Sequence, residues 1–303
     1  MADRLQVLLE RFQPAARLTH AGLLVRPALP GHEPSGTPAG DAQARNARTA
    51  EGLLVLVRRG AVQVETARTD LPRRQITQPG LLWVPHSAGS VALQAMTVEG
   101  VQLLAARLQM GRPELNPLLR SLPASLQIHA TDLGPLQGIW TALWEELLGQ
   151  GCAHQAVLRR LMEVLVVQLL RGQVHRGDHE TPPEGLIAGL ADPRLARVLD
   201  AVHQRPQAPW TLETMADVAG MSRARFAARF KALLGQAPAD YLTQWRLGVA
   251  QTLLREGRAI HDVASAVGYA SPAAFARVFR QRLGTSPTAW LGRQLDPRRL
   301  RAP

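Results

Sequence analysis

Cysteine is nearly missing from this chain: Cys152 stands alone among 303 residues. A single thiol forms no internal disulfide, which fits a reducing compartment and excludes both a cysteine-stapled scaffold and a cysteine-built zinc site. Cys152 follows Gly-Gln-Gly in a turn with no resolving thiol, a poor arrangement for an oxidant sensor. Lysine is scarcer still relative to its kind, because Lys231 is the one lysine among 35 basic residues. With the load of Ala, Gly and Pro this suits a GC-rich genome, so abundant arginine by itself identifies no partner. Aromatic residues make up 4% against 46% hydrophobic, and the cores are therefore expected to be Leu, Val and Ala. No uninterrupted apolar run approaches the ~18 residues of a membrane span. The opening Met1-Ala-Asp-Arg-Leu-Gln6 carries an acid where a signal peptide needs apolarity, so a soluble, cytoplasmic protein without membrane contact is expected. There is no His-x-His pair, nucleophile elbow or phosphate-binding glycine loop. Enzymatic chemistry therefore has no obvious seat, and no cofactor is called for.

What is present is unevenly distributed charge. The net charge is +11, and from Asp192 onward 17 basic residues face 8 acidic ones. Residues 1–191 hold 18 and 16. The excess sits on the C-terminal part, as a polyanion-binding domain requires.

That part is also duplicated. Ser222–Leu242 and Ser271–Leu291 align at an offset of 49 with nine of 21 positions identical. Upstream, at an offset of 48, Leu212, Met215, Ala216 and Gly220 answer Ile260, Val263, Ala264 and Gly268. The one-residue slip falls in the turn, where an insertion rotates no helix face. Each copy (212–234 and 260–283) reads as helix, turn, helix. Gly220 and Gly268 end the first helix, Ser222 and Ser271 cap the second, and Gly235 and Gly284 stop it. In a helix-turn-helix the second helix enters the DNA major groove.

At 100° per residue, Phe226, Phe230 and Leu234 form one apolar stripe, and Phe275, Phe279 and Leu283 another. The opposite faces carry Ala224, Arg225 and Ala228, and Ala273, Ala274 and Arg277. Short side chains let a helix sit deep in the groove and touch thymine methyls, while arginine bonds guanine in bidentate fashion. These six are the candidate base readers. Ser222, Arg223, Arg229, Lys231, Ser271, Arg280 and Arg282 flank them as candidate phosphate contacts. Between the copies Pro238–Arg255 is expected to be one helix about 27 Å long, bringing the two readers near the ~34 Å between successive major-groove faces. Arg246, at its middle, is a candidate phosphate contact or a solvated side chain.

From Trp210 to Leu291 the chain resembles the AraC/XylS family of bacterial transcription regulators. The run Ile260-x-x-Val-Ala-x-x-x-Gly268-Tyr-x-Ser271-x-x-x-Phe275-x-Arg277-x-Phe279-Arg280-x-x-x-Gly284-x-x-Pro287-x-x-Trp290 carries the resemblance. It implies that Arg277 reads bases and Arg280 meets the backbone. Leu291 departs from the family's common basic residue, with Arg293 nearby as a substitute.

The N-terminal part has a different texture. Asp3–Phe12 is a short amphipathic helix, and residues 30–50 are a loop rich in Pro, Gly and Ala. Strands are expected at 53–57, 61–65, 81–84, 90–93 and 101–105, separated by turns at Gly60, Pro79-Gly80 and Gly100. That suggests a small antiparallel sandwich or barrel. Gly60 and, some twenty residues on, Pro79-Gly-Leu-Leu-Trp-Val-Pro-His86 resemble the cupin-like sensor domains fused to this DNA-binding unit. Cupin enzymes hold a metal with paired histidines, whereas His20, His32 and His86 are solitary. A barrel without chemistry still binds a small molecule in its mouth. His20, Arg26, Trp83 and His86 are the candidates, set against the plainer reading of Trp83 as core and His86 as surface.

The expected architecture is α+β: a cupin-like β-barrel sensor at 1–115, a helical region at 116–175, a linker at 176–191 and an all-α tandem helix-turn-helix domain at 192–303. The helical region is either a packed hairpin or a dimer surface, and family resemblance favours a homodimer. The same resemblance implies an activator that contacts double-stranded DNA and RNA polymerase in response to an unidentified effector. A ligand-independent repressor, an architectural DNA-binder, or a cupin enzyme with a basic tail are the alternatives.

Overall fold

The computed structural model describes residues 5–25, 52–66, 73–84, 91–110, 116–122, 126–149, 151–175 and 185–295. They fall into two compact units, one of residues 9–183 and one of residues 1–8 with 184–303. Helix α1 (Gln6–Phe12) crosses that division and begins three residues later than the sequence suggests.

The first unit contains β1 (Ala15–Leu24), β2 (Gly52–Arg59), β3 (Val62–Thr66), β4 (Arg74–Ile76), β5 (Gly80–Val84), β6 (Val91–Ala95) and β7 (Val101–Gln109). After them come α2 (Pro117–Ser121), β8 (Leu126–His129), α3 (Gln137–Gly149) and α4 (His154–His175). The strands form two antiparallel sheets, ordered β1-β7-β2-β5-β8 and β4-β3-β6. Leu53, Val55, Leu82 and Leu103 of the larger sheet pack against Val62, Val64 and Ile76 of the smaller. The other face of the larger sheet is buried as well, through Leu54, Leu56, Leu81 and Leu104. Burial on both faces is why β2 reads Leu-Leu-Val-Leu-Val without alternation.

Three strands escape the sequence pattern. β1 alternates, but with Arg, Thr, His and Gly in place of a β-branched run, and β4 spans three residues. Inside 116–175, which sequence marks as a helical region, β8 pairs with β5 at the edge of the larger sheet. Trp140 and Trp144 of α3 meet edge to face at 5.5 Å, and α4 reaches the sheet where Glu163 Oε1 accepts from Ala16 N at 3.3 Å. The loop expected at 30–50 lies outside the described residues.

The second unit is all helix: α5 (Leu186–Ala191), α6 (Pro193–Gln204), α7 (Leu212–Ala219), α8 (Arg223–Leu234), α9 (Pro238–Arg255), α10 (Ile260–Ala266), α11 (Pro272–Leu283) and α12 (Pro287–Leu295). Residues 185–191, assigned from sequence to the linker, instead hold α5, whose Leu186, Ile187 and Leu190 are buried. Gly189 allows a close approach there: a Cβ would stand 2.8 Å from Leu234 Cδ1 and 2.9 Å from Leu199 Cδ1, and those side chains would have to shift.

The duplication is visible in three dimensions. Phe226 and Phe230 meet at a tilt at 5.5 Å and Tyr241 packs edge-on against Phe230 at 5.6 Å; Phe275 and Phe279 meet edge to face at 5.4 Å and Trp290 packs edge-on against Phe279 at 5.9 Å. All four phenylalanines are sealed from solvent. Leu283 departs from its stripe and is 37% exposed, unlike its counterpart Leu234.

Candidate nucleic-acid interface

Ser222 and Ser271 begin both second helices in the same way. The Ser222 hydroxyl accepts from Arg225 N at 3.4 Å and the Ser271 hydroxyl from Ala274 N at 3.1 Å. Gly235 and Gly284, at φ 74° and 70°, end them in the left-handed conformation that favours glycine. With the phenylalanines turned inward, the opposite faces of α8 and α11 turn outward. Ala224, Arg225, Ala228, Ala273 and Arg277 are exposed and Ala274 half-buried. None of the six packs into the interior.

The candidate phosphate residues divide. Among the described residues, Arg223, Lys231 and Arg280 are exposed and have no acidic partner, and Arg225 and Arg277 share that property. Three others are committed within the protein. Arg229 Nε donates to Asp192 Oδ2 at 2.6 Å, Arg282 pairs with Asp240, and Arg246 bonds two backbone carbonyls. Arg246 is therefore a brace rather than the free or solvated cation that its sequence position suggested. Ser222 and Ser271 likewise spend a lone pair on capping.

An open groove between α11 and α12 is lined by Arg277, Arg280, Gln281 and Ser286. Ser286 was not singled out from sequence. Its hydroxyl accepts from Ala289 N at 3.2 Å, and Ser286-Pro287 repeats the Ser271-Pro272 cap that marks α11.

In the first unit the two effector candidates among the described residues, His20 and Trp83, do not converge. Trp83 aligns with Leu54 and, across the next strand, Ala106, whereas His20 aligns with Ala105 after a bulge at Thr19. The two side chains thus point to opposite faces of the larger sheet, and Trp83 packs over Gly52 as core. His20 faces the space between the sheets, and its Nε2 is buried with no hydrogen-bond partner among the described residues. Burial pulls its pKa below the ordinary value, and a hydrogen bond to the Gly22 backbone opposes that shift. Arg26 and His86 lie outside the described residues. The inner faces of the sheets are filled with aliphatic side chains. A cavity of about 240 Å³ instead lies beside β8 and α4, lined by Ile128, Leu136, Leu169, Gln168 and Arg171. No cluster of three metal-ligating side chains occurs among the described residues. Nor is any described helix long and apolar enough to cross a membrane.

Comparison with known proteins accounts for both halves. The Cupin family matches residues 3–175 and the Helix-turn-helix domain family residues 215–293. The chain belongs to the AraC family of transcriptional regulators, with an N-terminal cupin domain and a C-terminal helix-turn-helix domain. A putative AraC-like transcription regulator of Streptomyces lividans is 35% identical over 192 residues, 62% of each chain. A similar protein of Streptomyces antibioticus is 37% identical over 56% of each. These alignments span about three fifths of the relatives' own length. The RCS-specific HTH-type transcriptional activator RclR of Escherichia coli is 26% identical over 81% of this chain and 88% of its own. Among solved structures, the DNA-binding domain of AdpA in complex with a target DNA is 35% identical, covering 37% of this AraC-family chain and 99% of that one, at a TM-score of 0.34. The relatives are transcription regulators, not enzymes.

Proposed function

We propose that this AraC-family protein is a sequence-specific DNA-binding transcription regulator that reads two successive major-groove faces with α8 and α11. The observation that carries this reading is the matched pair of outward faces: two helices with the same caps, each presenting to solvent short side chains and an arginine with no acidic partner among the described residues. Ala224, Arg225, Ala228, Ala273, Ala274 and Arg277 are the proposed base readers, with Arg223, Lys231 and Arg280 on phosphates. Such a protein works in the bacterial cytoplasm.

Activation through RNA polymerase takes support from the relative named as an activator. A homodimer takes support from α4, where Val157 and Val164 lie 39% and 46% exposed at helical spacing, and from the exposed Leu148 of α3. The effector domain is the cupin unit, whose cavity beside β8 offers the room that the packed inter-sheet core does not.

The test is selection of duplexes from a random-sequence library by the full chain, followed by footprinting. Two protected stretches about one helical turn apart are expected. Recovery of no preferred sequence would refute the reading.

A further inference from the structure

Arg246 occupies a place that phosphate binding does not explain. It stands midway along α9, the 18-residue helix joining the two helix-turn-helix units. Its Nε donates to Pro206 O and its Nη2 to Ala208 O, both at 2.8 Å. Those carbonyls belong to the loop between α6 and α7, on the side of the first helix-turn-helix. The loop is held internally as well: Ala208 N donates to Arg205 O at 3.1 Å, and Trp210 Nε1 donates to the same carbonyl at 2.8 Å.

The second helix-turn-helix reaches the same spot. The guanidinium carbon lies 5.8 Å from the centre of the Tyr269 ring, a cation–π distance. Tyr269 packs in turn on Phe275 of α11 at 5.6 Å. Beside it Gly268, at φ +80°, presses its backbone on the loop: a Cβ there would stand 2.7 Å from Gln207 O and 2.8 Å from Arg246 Nη2. Three segments distant in sequence therefore meet at one guanidinium. The loop leads into α7, which packs under α8, and the turn leads into α11.

We infer that Arg246 is a positioning residue that fixes the separation and rotation of α8 relative to α11, and so selects the spacing between the two halves of the DNA site. This rests on the DNA-reading role proposed above. A fork of rigid donors suits two carbonyls and an aromatic face at once, whereas a lysine ammonium cannot serve all three in that geometry. Changing the spacing by one base pair turns one half of the site by about 35° relative to the other. A rigid reader rejects that change, and a loosely hinged one tolerates it.

The experiment takes the duplex selected by the native full chain and remakes it with one base pair inserted or deleted between the two footprints. The native chain should lose about tenfold in affinity on either altered duplex, comparable with one mismatched base pair. Arg246→Met should shrink that discrimination to about twofold while leaving the base preferences within each half unchanged, and Arg246→Lys should recover part of it. Tyr269→Leu, which removes the ring and leaves the carbonyls, should weaken discrimination in the same direction and serves if Arg246→Met does not fold. Undiminished spacing discrimination in a folded Arg246→Met protein overturns the inference, as does an equal loss on all duplexes with a shallower salt dependence, the mark of a phosphate contact. If the native chain selects no sequence at all, the DNA-reading role itself fails, which is a separate result.

Discussion

Asp192 ties helix α8 to the start of α6 with one carboxylate. Oδ2 accepts from Arg229 Nε at 2.6 Å, while Oδ1 accepts from Arg194 N at 2.8 Å and Leu195 N at 3.0 Å. Burial alone would push the carboxyl up. The hydrogen bonds from Leu195 N, Arg229 and Arg194 N outweigh it, and the carboxyl titrates below its usual range. A group depressed in the folded state stabilises fully above its unfolded value of about 4 and loses that contribution as pH falls through the folded value.

Asp192→Ala should therefore destabilise the protein by about 1–2 kcal/mol, as for a lost helix cap. Urea melts at neutral pH measure the loss. The gap between native and variant should narrow in acid, below about pH 4. A gap that persists unchanged there would mean that the carboxylate's charge is not what matters.

The division of the arginines has a consequence for DNA binding. Each phosphate neutralised contributes about 0.9 to the slope of log affinity against log salt. Arg280→Gln should lower that slope by about one contact's worth, and Arg229→Gln, whose charge is already matched by Asp192, should leave it nearly unchanged. Titrations of one selected duplex across a salt series distinguish the two.

Arg277 makes a sharper prediction, because it is exposed on the same face as Ala273 and Ala274. Arg277→Ala should cost about 1–3 kcal/mol on the preferred duplex and relax selectivity at one base pair. Competition among duplexes substituted at single positions measures it. Uniform weakening across all of them would make Arg277 a phosphate clamp.

The C-terminal unit was largely legible in the sequence because its signals are local. Caps, stop glycines and the phenylalanine stripes each act within one or two turns of helix, and α9 spans the residues its pattern indicated. The partners of Arg229 and Arg246 lie 37 and 38–40 residues away, a separation that no helical period encodes. Helix α5 was hidden by its short length and by the proline-bearing stretch before it. In the cupin unit, β1 lacks the β-branched run that marks a strand, and the opposite facing of His20 and Trp83 depends on a bulge at Thr19 that sequence does not announce.

His20 supplies a pH prediction in the other half. With its folded pKa lowered by burial, unfolding takes up a proton as pH drops below the unfolded value of about 6.5. Stability is then complete above that value and declines as pH falls from it toward the folded pKa. His20→Gln should flatten the pH dependence of the denaturation midpoint between about pH 7.5 and 5. An equally steep dependence in the variant assigns the effect to other groups.

Gly52 and Trp83 test how tightly the larger sheet is packed. Gly52 lies on the same face as Leu54, whose cross-strand partner is Trp83, and any Cβ at position 52 would overlap the indole ring. The ring is 5% exposed and sits on a strand buried along its length, so it has no free direction in which to move. Gly52→Ala should therefore destabilise by about 1–3 kcal/mol, the cost of overpacking a filled core. If the clash is the cause, Trp83→Leu should relieve part of it, so the double variant is more stable than the two single losses add up to. Additive losses in that cycle would locate the cost of the alanine in the backbone of β2 rather than under the indole.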